Sequence, residues 1–371
     1  GIGGGYVIFQ AGISLTNFST QKFFDKKAWN PFPIGDGQKL SLRVQTNGDY
    51  YHAVSLSFTE PWLGGRKPNA LSVGVYYSYQ DDGFWNTTGT SEYYIGILGG
   101  SVSLATRLKW PDDYFTFVHG LAYQQYNVKN YTTLTAMPTG ISNNINYNFT
   151  LARNSVDQLI YPRQGSDISL AAQMTFPYSL VNGKDYSSLS PAERYKWLEY
   201  YKINFRAAWY FNLFDDLVVS TRARFGFLGQ YNSKVGYSPF ERFYLGGDGL
   251  TGYQLDGREL VALRGYDESS LSPDGGGMVF DKYTMELRYP ITLNEGASVY
   301  ALAFFEAGNS WANFQSFEPF KMYRSLGVGL RIFMPMFGLL GVDWGYGLDA
   351  IPGDPTASGS HFHISINNSI D

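Results

Sequence analysis

At 371 residues the chain exceeds the usual size of one soluble domain, yet it lies within the range of a single large β-barrel. Aromatics reach 18%, glycines number 42, and charged residues are 16%, well under the roughly 25% of soluble domains. A formal charge of −4 gives no electrostatic reason for a nucleic-acid partner, zero cysteines remove disulfide and thiolate chemistry, and no apolar run is long enough for a transmembrane helix. Either a barrel-type membrane protein or an aromatic-rich soluble all-β protein remains.

The chain opens in Gly1-Ile2-Gly3-Gly4-Gly5 with no charged and apolar leader, directly against a first strand-like stretch, Tyr6 to Leu15; an upstream part is expected to be missing. From Leu40 to Thr46, Leu40, Leu42 and Val44 alternate with Ser41, Arg43 and Gln45, the period of two that marks a strand. Asn47-Gly48-Asp49 signals a hairpin into Tyr51 to Glu60, and Pro61 to Gly65 turns the chain again. From Leu71 to Tyr79, Leu71, Val73, Val75, Tyr77 and Tyr79 oppose Ser72, Gly74, Tyr76 and Ser78, so one face is small or polar and the other suits lipid.

Further strands are predicted near Glu92 to Leu108, Tyr114 to Val128, Asn144 to Asn154, Ser166 to Phe176, Leu198 to Phe211 and Leu217 to Phe227. In the last, Arg222 and Arg224 lie opposite an apolar face and need a wet interior; a generic polar lumen accounts for both. After a Gly-rich connection, Gly229 to Gly277, come Met278 to Pro290, Ser298 to Asn309, Met322 to Met334, Leu339 to Leu348 and His361 to Asn367. Alternation by itself also fits a soluble sandwich. Its recurrence in nearly every segment, many about 10 residues long, with aromatics at the segment ends and connections alternately tight and long, favours an outer-membrane barrel. The count is about 15 strands, and single-chain bacterial barrels use an even number. The expected fold is therefore an all-β transmembrane antiparallel barrel of a 16-stranded family, its first strand missing or truncated, spanning 1–371 as one domain.

Several motifs resemble the barrel of BamA-type outer-membrane assembly factors, the superfamily of insertases and two-partner-secretion transporters. Leu263-Arg264-Gly265-Tyr266 is similar to the family's Val-Arg-Gly-Phe/Tyr tip, carried on a long extracellular loop that folds back into the lumen, here 229–277. Phe243-Tyr244-Leu245-Gly246-Gly247 resembles the stretch before that tip, and Tyr161-Pro162-Arg163-Gln164-Gly165-Ser166 the turn that opens a mid-barrel strand. Ser325 to Leu330 and Gly338-Leu339-Leu340 resemble the penultimate hairpin. Two departures stand out: Asp248 to Ala262 is inserted before the tip, implying an additional extracellular excursion, and the chain runs on to Asp371 without the usual terminal aromatic.

The resemblance implies that Arg264 meets Glu286 and Glu306 from the next two strands. Parity independently puts Glu286 on the polar face with Lys282 and Arg288, whereas Glu306 shares the less polar set of Tyr300, Leu302 and Phe304. A guanidinium fork suits carboxylates, and breaking a buried pair leaves an uncompensated charge. A generic lumenal role is the plain reading of both glutamates.

No Ser/His/Asp set, HExxH or phosphate loop is recognisable, and among His52, His119, His361 and His363 only the last two are spaced to share a metal, a pattern more often incidental. No enzyme activity, cofactor or metal is expected. The resemblance implies insertion and folding of outer-membrane β-barrels in the bacterial outer membrane, through a lateral gate between the missing first strand and the last, with Phe362, Ile364 and Ile366 on the gate strand. The implied partners are unfolded outer-membrane proteins, lipid, accessory lipoproteins and upstream periplasmic domains. Two-partner-secretion export by the same fold and a passive channel are the alternatives.

Overall fold

Lipid offers no partner to a backbone N–H or C=O, so a strand that crosses it must be paired with neighbours. The structure, a computed structural model, describes all residues except 1, 4, 5, 8, 30, 49, 66, 67, 82–91, 132, 133, 135, 251–253, 295, 336, 337 and 367–371. Its main ladder has fifteen strands: β1 (Phe9–Phe18), β2 (Gln38–Thr46), β3 (Tyr51–Glu60), β4 (Asn69–Asp81), β5 (Tyr94–Arg107), β6 (Phe115–Lys129), β7 (Gly140–Asn154), β8 (Gly165–Thr175), β9 (Tyr201–Phe214), β10 (Leu217–Gly229), β11 (Val279–Asn294), β12 (Ala297–Trp311), β13 (Tyr323–Met334), β14 (Gly338–Gly347) and β15 (Ser360–Ile366). Each pairs with its sequence neighbour, so β1 and β15 stand at the two ends of the pairing order. This is the all-β antiparallel barrel fold, and no helix among the described residues is long and apolar enough to cross a membrane.

The period of two sorts the side chains. On β11, Tyr283, Met285, Leu287 and Tyr289 are exposed on the outer wall, while Lys282, Thr284, Glu286 and Arg288 are buried inside. Val73, Val75 and Tyr77 on β4 are exposed in the same way. An outer wall of apolar side chains around a polar interior is the inverse of a soluble sandwich, and it decides between the two readings left open by alternation.

Some strand boundaries differ from the sequence reading. β1 begins at Phe9 and passes a register shift after Leu15 to end at Phe18, while Tyr6–Val7 pairs separately with Ile2–Gly3. β7 starts at Gly140: Ser142 and Asn144 face inward and Asn143, bonded to Tyr123, faces the other side, so polar residues on both faces hide the alternation in sequence although all three pair regularly with β6. β9 starts only at Tyr201: Leu198 and Tyr200 before it are buried, Leu198 in the internal apolar cluster and the Tyr200 hydroxyl bonded to Asn144 and Gln173. Asn367 lies outside the described residues.

Tight connections such as 215–216 and 295–296 gather at one rim, and 176–200 and 230–278 at the other. At the short-turn rim the 155–164 connection turns inward: Tyr161 is buried, and its hydroxyl donates to the carbonyls of Asp216 at 2.8 Å and Arg288 at 3.0 Å. The long connection after β10 fills the lumen with apolar side chains. Phe240 stacks on Tyr126 of β6 at 4.1 Å between ring centroids, and Phe243 meets Phe280 of β11 edge-on at 4.8 Å.

The inserted segment also turns inward, which the sequence reading did not anticipate. Glu259–Val261 returns parallel to Phe243–Leu245, Leu255 and Val261 are buried, and Glu259 reaches Arg224 at 3.0 Å and Lys202 at 3.3 Å on the inner wall. Burying Leu255 and Val261 and pairing one carboxylate with two wall cations gives it a reason to fold back. Tyr161→Phe should lower stability by about 1–3 kcal/mol, because it strips the partner from two interior carbonyls without changing shape; the shift in the temperature at which the folded gel band is lost checks this.

Candidate functional site

The tip of the long connection crosses the inner wall at glycines. Gly265 has φ +87°, and a Cβ there would meet the Gly347 nitrogen at 2.6 Å and the Tyr346 carbonyl carbon at 2.8 Å. The facing residue, Gly345, would bring its own Cβ to 2.7 Å from the Gly265 nitrogen. The tip therefore needs glycine on both sides, once for conformation and once for approach. Beyond it the Tyr266 hydroxyl donates to the Arg324 carbonyl at 2.7 Å, and the Gly359 N–H donates to the Gly265 carbonyl at 3.3 Å, joining the tip to β13 and to the β14–β15 connection.

With its backbone held this way, Arg264 extends into the wall and is fully buried. Its Nη2 donates to Glu286 Oε1 at 3.0 Å and to Glu306 Oε1 at 2.9 Å, and its backbone N–H donates to Glu306 Oε2 at 2.9 Å. Nη1 lies 3.4 Å from Asp343 Oδ1 on β14. The guanidinium carbon sits 3.5 Å from the centroid of the Phe304 ring, so an aromatic face replaces water on one side of the cation. The position of Phe304 also explains the less polar parity set around Glu306: Tyr300, Leu302 and Phe304 are buried inward, where Tyr300 and Phe304 lie against arginines.

Each carboxylate serves several cations. Glu286 also accepts from Arg222 Nη2 at 2.6 Å and from Arg288 Nη2 at 2.6 Å. Glu306 accepts from the Thr284 hydroxyl at 3.2 Å and lies 3.1 Å from Lys282 Nζ, while Asp343 is held by both terminal nitrogens of Arg331 at 2.9 Å. Arg222, Arg264, Arg288, Arg331 and Lys282 thus share Glu286, Glu306 and Asp343, five cations on three carboxylates. An interior short of anions makes every carboxylate in it costly to lose.

The last strand joins the same network. His363 of β15 is buried, and its Nε2 accepts the Gly265 N–H at 2.9 Å. An imidazolium has no acceptor, so the bond needs the neutral ring with its proton on Nδ1. His361 lies at the rim with Nδ1 3.3 Å from Asp267.

A family model described as the Omp85 superfamily domain matches residues 34–369 of this chain. The chain belongs to the Omp85 superfamily. Among solved structures, that of BamA from Haemophilus ducreyi lacking POTRA domains 1–3 is similar at a TM-score of 0.67 and 18% identity, covering 96% of this chain and 66% of that one. CdiB from Acinetobacter baumannii gives 0.51 at 15% identity over 97% and 56%, and CdiB from Escherichia coli 0.52 at 12% over 97% and 59%. At these identities the likeness is one of fold, and this Omp85 chain spans between 56% and 66% of their lengths.

Of the residues singled out by sequence in this Omp85 barrel, Leu263, Arg264, Gly265, Tyr266, Glu286 and Glu306 come together at one place, with Leu263 and Tyr266 buried. Phe362 and Ile364 lie elsewhere, exposed on the outer wall of β15; Ile366 pairs with Leu340. Sequence reasoning gave Arg222 only a generic lumenal role and did not assign Asp343, Phe304 or His363 to the site. Arg222 shares the inward parity of Ser220 and Arg224, and Asp343 that of Gly341 and Gly345, so parity held a signal for their face but not for their partner. No group of three or more metal-ligating side chains occurs among the described residues.

A second carboxyl pair lies on the loop itself. Burial raises the Glu268 pKa to about 8, with the neighbouring Asp248 and Asp267 charges adding to it, although Glu268 accepts the Asp248 N–H at 2.8 Å. Because the folded pKa exceeds that of an unfolded glutamate, the folded loop holds a proton that the unfolded chain has released. Stability should therefore fall as pH rises from about 5 to about 8, and Glu268→Gln should flatten that slope, as read by protease resistance of the loop. Arg264→Ala should destabilise the barrel by on the order of 3–5 kcal/mol by stranding Glu306 and Glu286 among fewer partners; Arg264→Lys, lacking the fork, should recover only part of this in urea titrations.

Proposed function

We propose that this barrel folds and inserts other β-barrel proteins into the bacterial outer membrane by parting between its first and last strands. The single observation behind this reading is the state of β15. Among the described residues it stands at the end of the pairing order and is joined to β14 from Tyr346↔Ser360 to Leu340↔Ile366, whereas β11 and β12 pair from Val279↔Trp311 to Asn294↔Ala297. Its inward residue His363 is bonded to the tip that Arg264 anchors on β11 and β12.

The chemistry of the task follows from the lipid. An unfolded barrel protein carries backbone groups that hydrocarbon cannot satisfy, and a strand edge lent by an open barrel pairs them one strand at a time. Parting at β15 exposes such an edge, with Phe362, Ile364 and Ile366 on the strand that offers it. The Arg264 network then keeps the adjoining wall, β10 to β14, and the tip in register while that edge moves. In this reading the long-loop rim is extracellular, the 229–277 connection is an inward-folding extracellular loop, and periplasmic delivery domains and accessory lipoproteins bring unfolded substrates to the short-turn rim.

Fold alone does not separate this from export of one secreted protein, since BamA and CdiB structures both align over nearly the whole chain. Depletion in the native host separates them: loss of many outer-membrane proteins at once is the expected result, and loss of a single secreted protein would point to export. Arg264→Ala expressed as the only copy should reduce the heat-modifiable, folded fraction of several outer-membrane proteins; unchanged levels with an intact variant barrel would sink the proposal.

A further inference from the structure

The β1–β2 connection, residues 19–37, is longer than any other at the short-turn rim. It is a built element. The Ser19 N–H donates to the Pro33 carbonyl at 3.0 Å, and the Gly35 N–H to Asn17 at 3.0 Å. Gln38 locks its base, accepting the Thr20 N–H at 2.7 Å and donating to Glu60 of β3 at 2.8 Å. Within it Asp25 caps the short helical turn Lys26–Ala28, and the Trp29 indole donates to the Phe23 carbonyl at 3.0 Å.

This frame presents apolar side chains outward. Phe24 is 91% exposed, and Phe23, Trp29, Phe32 and Ile34 are between 41% and 46% exposed. The rings touch one another, Phe23 lying 5.3 Å from Phe24 and 5.6 Å from Trp29, so they form one patch. Single exposed apolar residues need no explanation, but a contiguous aromatic patch on a hydrogen-bonded frame marks a contact surface.

Three features of the surroundings say what covers it. Lys26 and Lys27 are exposed beside the rings, while Asp25 and Asp36 accept hydrogen bonds from the loop's own Lys27 N–H and Ser19 hydroxyl. The strands it joins carry an apolar outer wall, where Ile13, Leu42 and Val44 are exposed. The same rim carries exposed Trp62 and Trp110 in its other turns and Phe214 at the end of β9, the aromatic girdle expected at the level of lipid headgroups.

We propose that residues 19–37 form a foot embedded in the phospholipid leaflet at the short-turn rim, with Phe23, Phe24 and Trp29 at the headgroup–acyl boundary and Lys26 and Lys27 against phosphates. The foot is covalently continuous with β1, so it ties one end of the strand ladder to the bilayer beside the place where the barrel is proposed to part. The inference rests on the reading of this chain as a membrane-spanning barrel.

The chain has no cysteine, so a spin label at Phe24→Cys reports one site. The protein carrying it, with any cysteine outside residues 1–371 replaced by serine, is reconstituted in vesicles of phosphatidylethanolamine and phosphatidylglycerol, and its accessibility to oxygen and to a water-soluble nickel chelate is measured. Leu42→Cys on the outer wall and Lys184→Cys on an exposed connection serve as lipid and water references. The expected result is an oxygen-to-nickel ratio at Phe24→Cys several-fold above that at Lys184→Cys and close to that at Leu42→Cys, falling when Lys26 and Lys27 are both changed to Glu. A ratio like that of Lys184→Cys overturns the proposal, as does shielding from both reagents, which would place protein on the patch. If Leu42→Cys itself reads as water, the spanning reading fails and takes the foot with it.

Discussion

A guanidinium shut away from water stays in place only where carboxylates and a ring face stand in for its hydration, and that requirement at Arg264 organises the interior of this barrel. Glu286 and Glu306 come from β11 and β12, Asp343 from β14, and Phe304 supplies the aromatic face. Apart from Phe304 and Glu306, two residues apart on β12, these groups lie far from one another in sequence. The site exists only when the ladder is in register from β10 to β14 and the tip lies across it, so ionic contacts in the lumen and backbone pairing in the wall depend on each other.

The long connection after β10 fills the lumen by two kinds of contact. Toward its own rim it is held by apolar packing, with Phe240, Phe243, Leu245 and Val261 buried against the inner wall. At its tip it is held by charge, in a network where five cations share three carboxylates. Apolar contact tolerates small shifts, whereas a shared carboxylate at 2.6–3.0 Å does not. The charged end therefore sets the position of the tip, and the apolar end packs against the inner wall.

The two ends of the strand ladder are treated differently. β15 is tied inward, through His363, to the tip of the loop. β1 is continuous with an outward-facing aromatic connection at the short-turn rim. One end strand is thus held from inside the barrel and the other borders a patch suited to lipid, an asymmetry that matches the proposed opening between them.

Much of this was legible before any coordinates. Alternation marked fifteen strands and the inner face of β11, because the pleat of a strand writes its facing directly into the order of residues, and the resemblance of a four-residue motif singled out Arg264. The same alternation misled where inward residues are not polar, as around Glu306, or where both faces are, as at Ser142 to Asn144, since it records polarity and a lumen filled by a loop is polar only in part. Sequence by itself determined the strands, their facing and the residue at the centre of the site. Only the tertiary structure decided that Arg222, Asp343 and His363 belong to that site and that Leu255 to Val261 of the inserted segment folds inward. Those contacts join strands far apart in the chain through a long connection, and a period of two residues carries no information about where such a connection comes to rest.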